Sequence, residues 1–410
     1  MKLSHCLFNL VVSALLLVSP ASATTTDLET ALQRAGENRI QLEQAIAGVP
    51  EGEEREAMCW LIEHMPAQDL GQLQADYLLT NHRFAFQSWR SAPWRDKVDS
   101  SLFADSILPY ASVNERRDAW RKLLRERCLP MVEKARSSSE AAAMLNNAIW
   151  KEFNVKYSRE REKPDQSPLE TMESGLASCT GLSVLLVDSC RSVGIPARFV
   201  GTPLWSDDSG NHSWVEIWDD GWQYTGAAEP SGMDLNKGWF AGRASGAQRD
   251  DPKYAIYATS WRTTPISFPL VWLPKDESVH AVNVTDRYTQ QIEPLAPGMA
   301  RVRFQAIDPA TGKRVAALVE YSSSTKIKDP QETKSKELGK TRDESFDGND
   351  HLTAQLNEGV TYDFIARQPE LGVARWSLQS KDQLLCTIGG DSEITWTQEA
   401  LTREQAQAHS

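Results

Sequence analysis

The stretch from Ser174 to Pro230 constrains this chain more than any other. Within it, a helix-like run and a strand-like run each open on a chemically reactive residue. Ser178-Cys179 starts an apolar segment in which Leu182, Leu186 and Val193 fall near helical spacing. Ser178 is a good N-cap, so Cys179 belongs to the first helical turn. Gly194 and Pro196 stop the helix, and Ala197 to Val200 reads as a short buried strand. From His212 to Trp218 the pattern switches to alternation, with His212, Trp214, Glu216 and Trp218 on one face. Asp220-Gly221 is a strong two-residue hairpin signal. With those two as the central turn residues, Asp219 faces Trp222, and counting back along both strands sets His212 opposite Glu229. Directly opposed residues share a face. Cys179, His212 and Glu229 thus supply the nucleophile, base and orienter of a cysteine acyl-transfer site. The unpaired N–H groups and dipole of the helix favour an anion at Cys179. Such settings lower a thiol pKa from about 8.5 toward roughly 3.5–7.5 when an imidazolium is also near. The same N–H groups can stabilise a tetrahedral oxyanion.

The order of Cys, then His-x-Trp-Val-Glu, then an acid after a Trp-bearing strand resembles the transglutaminase-like superfamily. CTGLS, GIPARFVGTP, NHSWVEIW and GWQYTGAAEP carry the resemblance, over roughly residues 145 to 245. It implies a papain-like core, in which a helix bearing Cys179 packs on an antiparallel sheet bearing His212 and the acid. The sequence has no Gly-rich phosphate loop and no Cys/His spacing for zinc, so neither cofactor nor metal is expected. Many members have Asp four residues after the tryptophan, where this chain has Gly226. The resemblance therefore shifts the acid to Glu229, as the hairpin count also does.

The expected fold class is α+β: a papain-like transglutaminase core with an N-terminal helical region and a C-terminal β-sandwich. Met1 to Ala23 reads as a secretory signal, with Lys2, an apolar run and the small-residue site Ala21-Ser22-Ala23. Residues 24–140 read as helices, with His82 a surface or capping histidine. Residues 141–275 form the catalytic domain, entered by a helix over 139–153. Residues 276–400 supply short strands for an immunoglobulin-like sandwich, beginning near Val282. Ser322 to Asp350 is rich in Ser, Lys and Glu and reads as a long exposed loop, with Asp343, Glu344, Asp347 and Asp350 as solvated charge. The tail after Ala400 reads as frayed.

The 44 basic residues stand against 56 acidic ones, an unfavourable balance for nucleic-acid binding. An odd cysteine count after signal removal points to a free thiol, for which Cys179 is the natural choice. Cys59 and Cys128 could pair, and Cys190 reads as a buried apolar residue. Two substrate-contacting residues are expected: Tyr157, as a second oxyanion donor, and Trp214, as a wall of an aromatic cleft. Glu216 reads as a structural or rim carboxylate. The expected protein is an exported, secreted or periplasmic cysteine hydrolase or acyltransferase. Its expected partner is a peptide or protein substrate, with the cell envelope as a candidate source, without nucleic acid and without stable membrane insertion. Protein cross-linking and a non-enzymatic binding module are the alternatives. A zinc enzyme using Cys179 and His212 lacks further plausible ligands in the sequence.

Overall fold

The structure is a computed structural model describing residues 22–291, 295–323 and 335–397. The signal-like segment, the tail and part of the Ser-rich loop lie outside the described residues. The chain divides into two compact units at Ala75. The first contains helices Ser22–Arg34, Arg39–Ala47 and Glu53–Glu63, with Leu42, Met58, Leu61 and Ile62 fully buried. Among the described residues, no helix is long and apolar enough to cross a membrane.

The second unit holds everything that positions the candidate site. Helix α1 (Ser138–Glu152) is capped by the Ser137 side chain, which accepts from the Glu140 N–H. Helix α2 (Cys179–Ser192) is buried along its length from Thr180 to Ser192. An apolar stripe alone would leave one face wet; here helices cover α2 on one side and a sheet covers it on the other. Its C-terminal end is tied down by buried polar groups. Ser88 Oγ donates to Ser192 O (2.6 Å), Trp94 Nε1 to Gly194 O (2.7 Å), and Arg191 Nη1 to Ala111 O (2.7 Å). Gly194 has φ +82°, and a Cβ there would lie 2.6 Å from Ser88 O, so the close approach needs glycine. His82 belongs to this packing rather than to the surface: it is 1% exposed and its ring lies 4.6 Å from Phe86.

The sheet has six antiparallel strands: β1 (Ala197–Thr202), β2 (His212–Trp218), β3 (Trp222–Thr225), β4 (Tyr257–Thr259), β5 (Ile266–Ser267) and β6 (His280–Asn283), in the order β3-β2-β1-β4-β6-β5. The segment containing Val282 therefore completes this sheet and does not start the sandwich. Its backbone pairs with β4, Val282 opposite Ala258. The catalytic fold thus runs past residue 275, and the first sandwich strand is β7 (Met299–Ile307).

The β2–β3 hairpin has a register one residue away from the expected one. Trp218 pairs with Trp222 and Val215 with Thr225. The loop is Asp219-Asp220-Gly221, with φ +53° at Asp220 and +148° at Gly221. The Asp219 N–H donates to Gly221 O (2.9 Å) within the loop, and its carboxylate accepts from the Ser139 N–H (3.2 Å) and Lys97 Nζ (3.2 Å).

The C-terminal strands are β7, β8 (Leu318–Ser323), β9 (Lys336–Lys340), β10 (Leu352–Asn357), β11 (Thr361–Gln368), β12 (Gly372–Gln379) and β13 (Leu384–Gly389). They form one sheet ordered β9-β8-β11-β12 and another ordered β10-β7-β13. Val302, Phe304, Val319, Phe364 and Ile388 share one apolar core between the sheets. The expected exposed loop is different where it is described. Residues 336–340 are strand β9, and the turn that follows buries Asp347 and Asp350 to 4% and 5% exposure.

Candidate active site

Cys179 is half-buried at the first position of α2. Ser178 caps the helix, its Oγ accepting from the Thr180 and Gly181 N–H groups (3.1 and 3.2 Å) and donating to Pro164 O (2.8 Å). The cap leaves the Cys179 N–H out of its own bonds, so that donor points out of the helix end with the dipole behind it. Cys59, Cys128, Cys190 and Cys386 are also free thiols. Burial pushes the Cys128 and Cys386 thiols up to about 12, the range of inert core cysteines.

His212 opens β2 and is 1% exposed. Carboxylates lie against both ring nitrogens: Glu229 Oε2 is 3.8 Å from Nε2 and Asp347 Oδ2 is 3.6 Å from Nδ1. Cys179 Sγ, a His212 ring nitrogen and an Asp347 oxygen all lie within 4.8 Å of one another. Burial alone would lower the imidazole pKa. The Asp347 charge, with Cys179 and Glu229 adding to it, instead raises it well above the ordinary value. For Asp347 burial acts upward, but the facing His212 outweighs it and holds the carboxyl below the usual range. Burial raises Glu229 to about 7, against the opposing pull of His212.

Glu229 reaches His212, but not by strand pairing. Strand β3 ends at Thr225 and the chain folds back, the Glu229 N–H donating to Gly226 O (3.3 Å). Ala228 takes φ +63° in this turn. Asn146 of α1, fully buried, holds it together: Nδ2 donates to Gly226 O (2.8 Å) and Thr225 Oγ1 (3.0 Å), and Oδ1 accepts from the Ala228 N–H (3.1 Å). A Cβ built at Gly226 would overlap the Glu229 carboxylate. The glycine that replaces the expected aspartate is thus the space into which Glu229 folds.

Asp347 was not legible as a site residue. It comes from the sandwich, in the turn between β9 and β10. Buried Arg314 ties that turn together by donating to five of its carbonyls, those of Asp343, Phe346, Asp347, Gly348 and Asp350. The turn grips the catalytic fold on both sides of His212. The Gly348 N–H donates to Tyr157 Oη (3.0 Å), and Asn349 Nδ2 donates to Asn211 O (2.9 Å). Asp-Gly-Asn-Asp is a turn signal, but nothing local to it says which surface the turn will meet.

The other expected positions separate. Tyr157 is at the site's edge, half-buried, with its oxygen accepting from Gly348. Trp214 does not line a cleft: it is fully buried, donates Nε1 to Tyr288 Oη (2.7 Å) and backs His212 at 5.8 Å. The accessible aromatic wall is Trp239, whose ring lies 4.7 Å from His212. Glu216 is a core carboxylate rather than a rim one, bound by Arg198 (2.6 Å), Arg287 (2.8 Å) and Tyr288 (2.8 Å).

A half-buried thiol at a capped helix N-terminus, beside a buried imidazole flanked by carboxylates, is the arrangement of cysteine-dependent acyl-transfer enzymes. Residues 125–227 match the model of the Transglutaminase-like superfamily, and the chain carries a transglutaminase-like domain over that span. No curated protein sequence matches the chain. Among solved structures, a candidate cysteine protease from Cytophaga hutchinsonii is similar at 17% identity and TM-score 0.24, over 40% of this chain and 58% of that one. Red sea bream transglutaminase is similar at 11% identity and TM-score 0.21, over 74% of this chain and 59% of that one. The chain thus spans less than two thirds of either structure's length.

Proposed function

We propose that the protein is a cysteine hydrolase that cleaves peptide or amide bonds through a thioester, and that it acts after export, the reading carried by residues 1–23. The observation that carries the chemistry is the convergence of Cys179, His212 and two carboxylates at a helix N-terminus. The Cys179 thiolate attacks the carbonyl carbon, and the Cys179 N–H receives the oxyanion. His212 gives its proton to the leaving amine as the C–N bond breaks. A water then loses a proton to His212 and attacks the thioester, the C–S bond breaks to release the acid, and the thiolate–imidazolium pair is restored. Glu229 orients the imidazole from Nε2, and Asp347 stabilises its charge from the Nδ1 side. An amine in place of water gives cross-linking by the same steps.

The test is alkylation of the full chain by iodoacetamide at mildly acidic pH, with the modified cysteine located by mass spectrometry. Cys179 should react faster than an unperturbed thiol, and Cys179→Ala should abolish turnover in folded protein. An ordinary rate at an accessible Cys179 overturns the reading. A second reading has its own observation. Cys179, His212 and Asp347 lie close enough together to ligate a thiophilic cation such as zinc. Stoichiometric metal in purified protein, lost in Asp347→Asn, would favour it.

A further inference from the structure

A cavity of about 530 Å³ opens beside the candidate site, on the far side of Trp239. Arg243, Arg301, Arg303 and His351 line it, and among the described residues no Asp or Glu does. Trp239 itself lines the cavity while its ring faces His212 at 4.7 Å, so one indole separates the arginines from the catalytic imidazole. Asn349, which also lines it, is two residues from Asp347.

Among the described residues, the three arginines have one ion-paired carboxylate between them. Arg243 and Arg303 share one carboxylate, Asp207, at 3.0 and 2.8 Å. The Arg301 guanidinium donates to Gly242 O, a neutral acceptor. Arg303 is 6% exposed, yet its Nε and Nη1 have no hydrogen-bond partner among the described residues; the same holds for Arg243 Nε. A buried guanidinium with open donors is costly unless something fills them. Burial first, then the charges of Arg303, Arg314 and Arg243, lower the His351 imidazole to about 4. His351 therefore adds no charge at neutral pH, but its neighbours set up a strong positive field.

We infer that this cavity is an anion subsite that binds a carboxylate or phosphate group of the substrate, one residue's width from the scissile amide. This rests on the hydrolase reading above and narrows its substrate class to acidic amides or peptides. An arginine fork matches either oxyanion in bidentate fashion. Asp347 and Glu229 would repel an anion at the nucleophile itself, so the acidic group is steered past Trp239 into the arginines, fixing which way the substrate lies.

The probes are glutarate and inorganic phosphate, with glutaramide as the neutral control. Each is titrated into the full chain carrying Cys179→Ala, followed by tryptophan fluorescence and calorimetry. At least one anion should saturate, and glutaramide should not. Whichever anion binds more tightly identifies the group. Arg301→Gln and Arg303→Gln should each weaken binding at least about tenfold. Arg303→Gln removes an Asp207 partner, so Arg301→Gln, at a half-exposed position, carries the test if the first does not fold. In protein with Cys179 intact, the bound anion should slow iodoacetamide alkylation. Absence of binding by both anions, or unchanged affinity in folded Arg301→Gln, overturns the subsite. Cys179 alkylation faster than that of an unperturbed thiol, alongside that result, leaves the hydrolase reading standing, which separates the two failures.

Discussion

His212 sits between two carboxylates that titrate in opposite directions. Glu229 is raised by burial to about 7 from an ordinary 4.5, so folding favours its protonated form. Its stabilising contribution is complete below the unfolded pKa of 4.5 and is lost as pH rises through about 7. Thermal unfolding followed by circular dichroism should therefore show a midpoint that declines from mildly acidic to mildly alkaline pH. Glu229→Gln should flatten that decline. In turnover the sign reverses, because the orienter works as an anion. The acid limb of kcat/KM should lie near pH 7 rather than near 4.5. Glu229→Gln should remove the limb and lower turnover by roughly one to three orders of magnitude. Gly226 offers a sharper check, because its missing side chain is the space Glu229 occupies. Gly226→Asp alone should destabilise by about 1–3 kcal/mol through overpacking. Added to Glu229→Ala, the same change returns a carboxylate to that space. It should recover at least about tenfold of the lost turnover; no recovery would mean Glu229 is not the orienter.

At the scale of elements, helix α2 was the most legible part of the chain. Its start, its cap and its glycine stop all follow from local chemistry at Ser178, Cys179 and Gly194. Ser178→Ala should lower stability by about 1 kcal/mol, measured by urea unfolding, and should also slow Cys179 alkylation by loosening the first turn. The β2 strand was equally plain from its alternation, but the hairpin register was not. Asp-Gly favours a two-residue turn on intrinsic grounds. In the structure the loop is one residue longer, and Ser139 and Lys97, far away in sequence, hold the Asp219 carboxylate in it. Glu229 arrives beside His212 through a turn held by Asn146, so strand counting reached the right neighbour by the wrong path. Trp214 failed for a related reason. Alternation says which face a residue shares, and Tyr288, Phe240 and Trp205 decide that this part of the face is core.

At the scale of the molecule, the sandwich takes part in the site. Arg314 braces the turn that carries Asp347, and Tyr157 and Asn211 anchor it against the catalytic sheet. Asp347→Asn should lower the His212 pKa, read from the imidazole proton resonance, and reduce kcat about tenfold or more while KM changes little. A change in KM alone, with the His212 titration unmoved, would leave Asp347 a merely structural role. The thiol, the histidine, the helix that carries one and the strand that carries the other were determined by sequence alone. Each depends on capping, periodicity and turn chemistry within about a dozen neighbouring residues. The second carboxylate at His212, the arginine cavity and the true depth of Trp214 were decided only by tertiary structure. Burial and charge pairing depend on which distant surfaces meet, and a charged turn such as the one holding Asp347 reads as solvated until its partner surface is known.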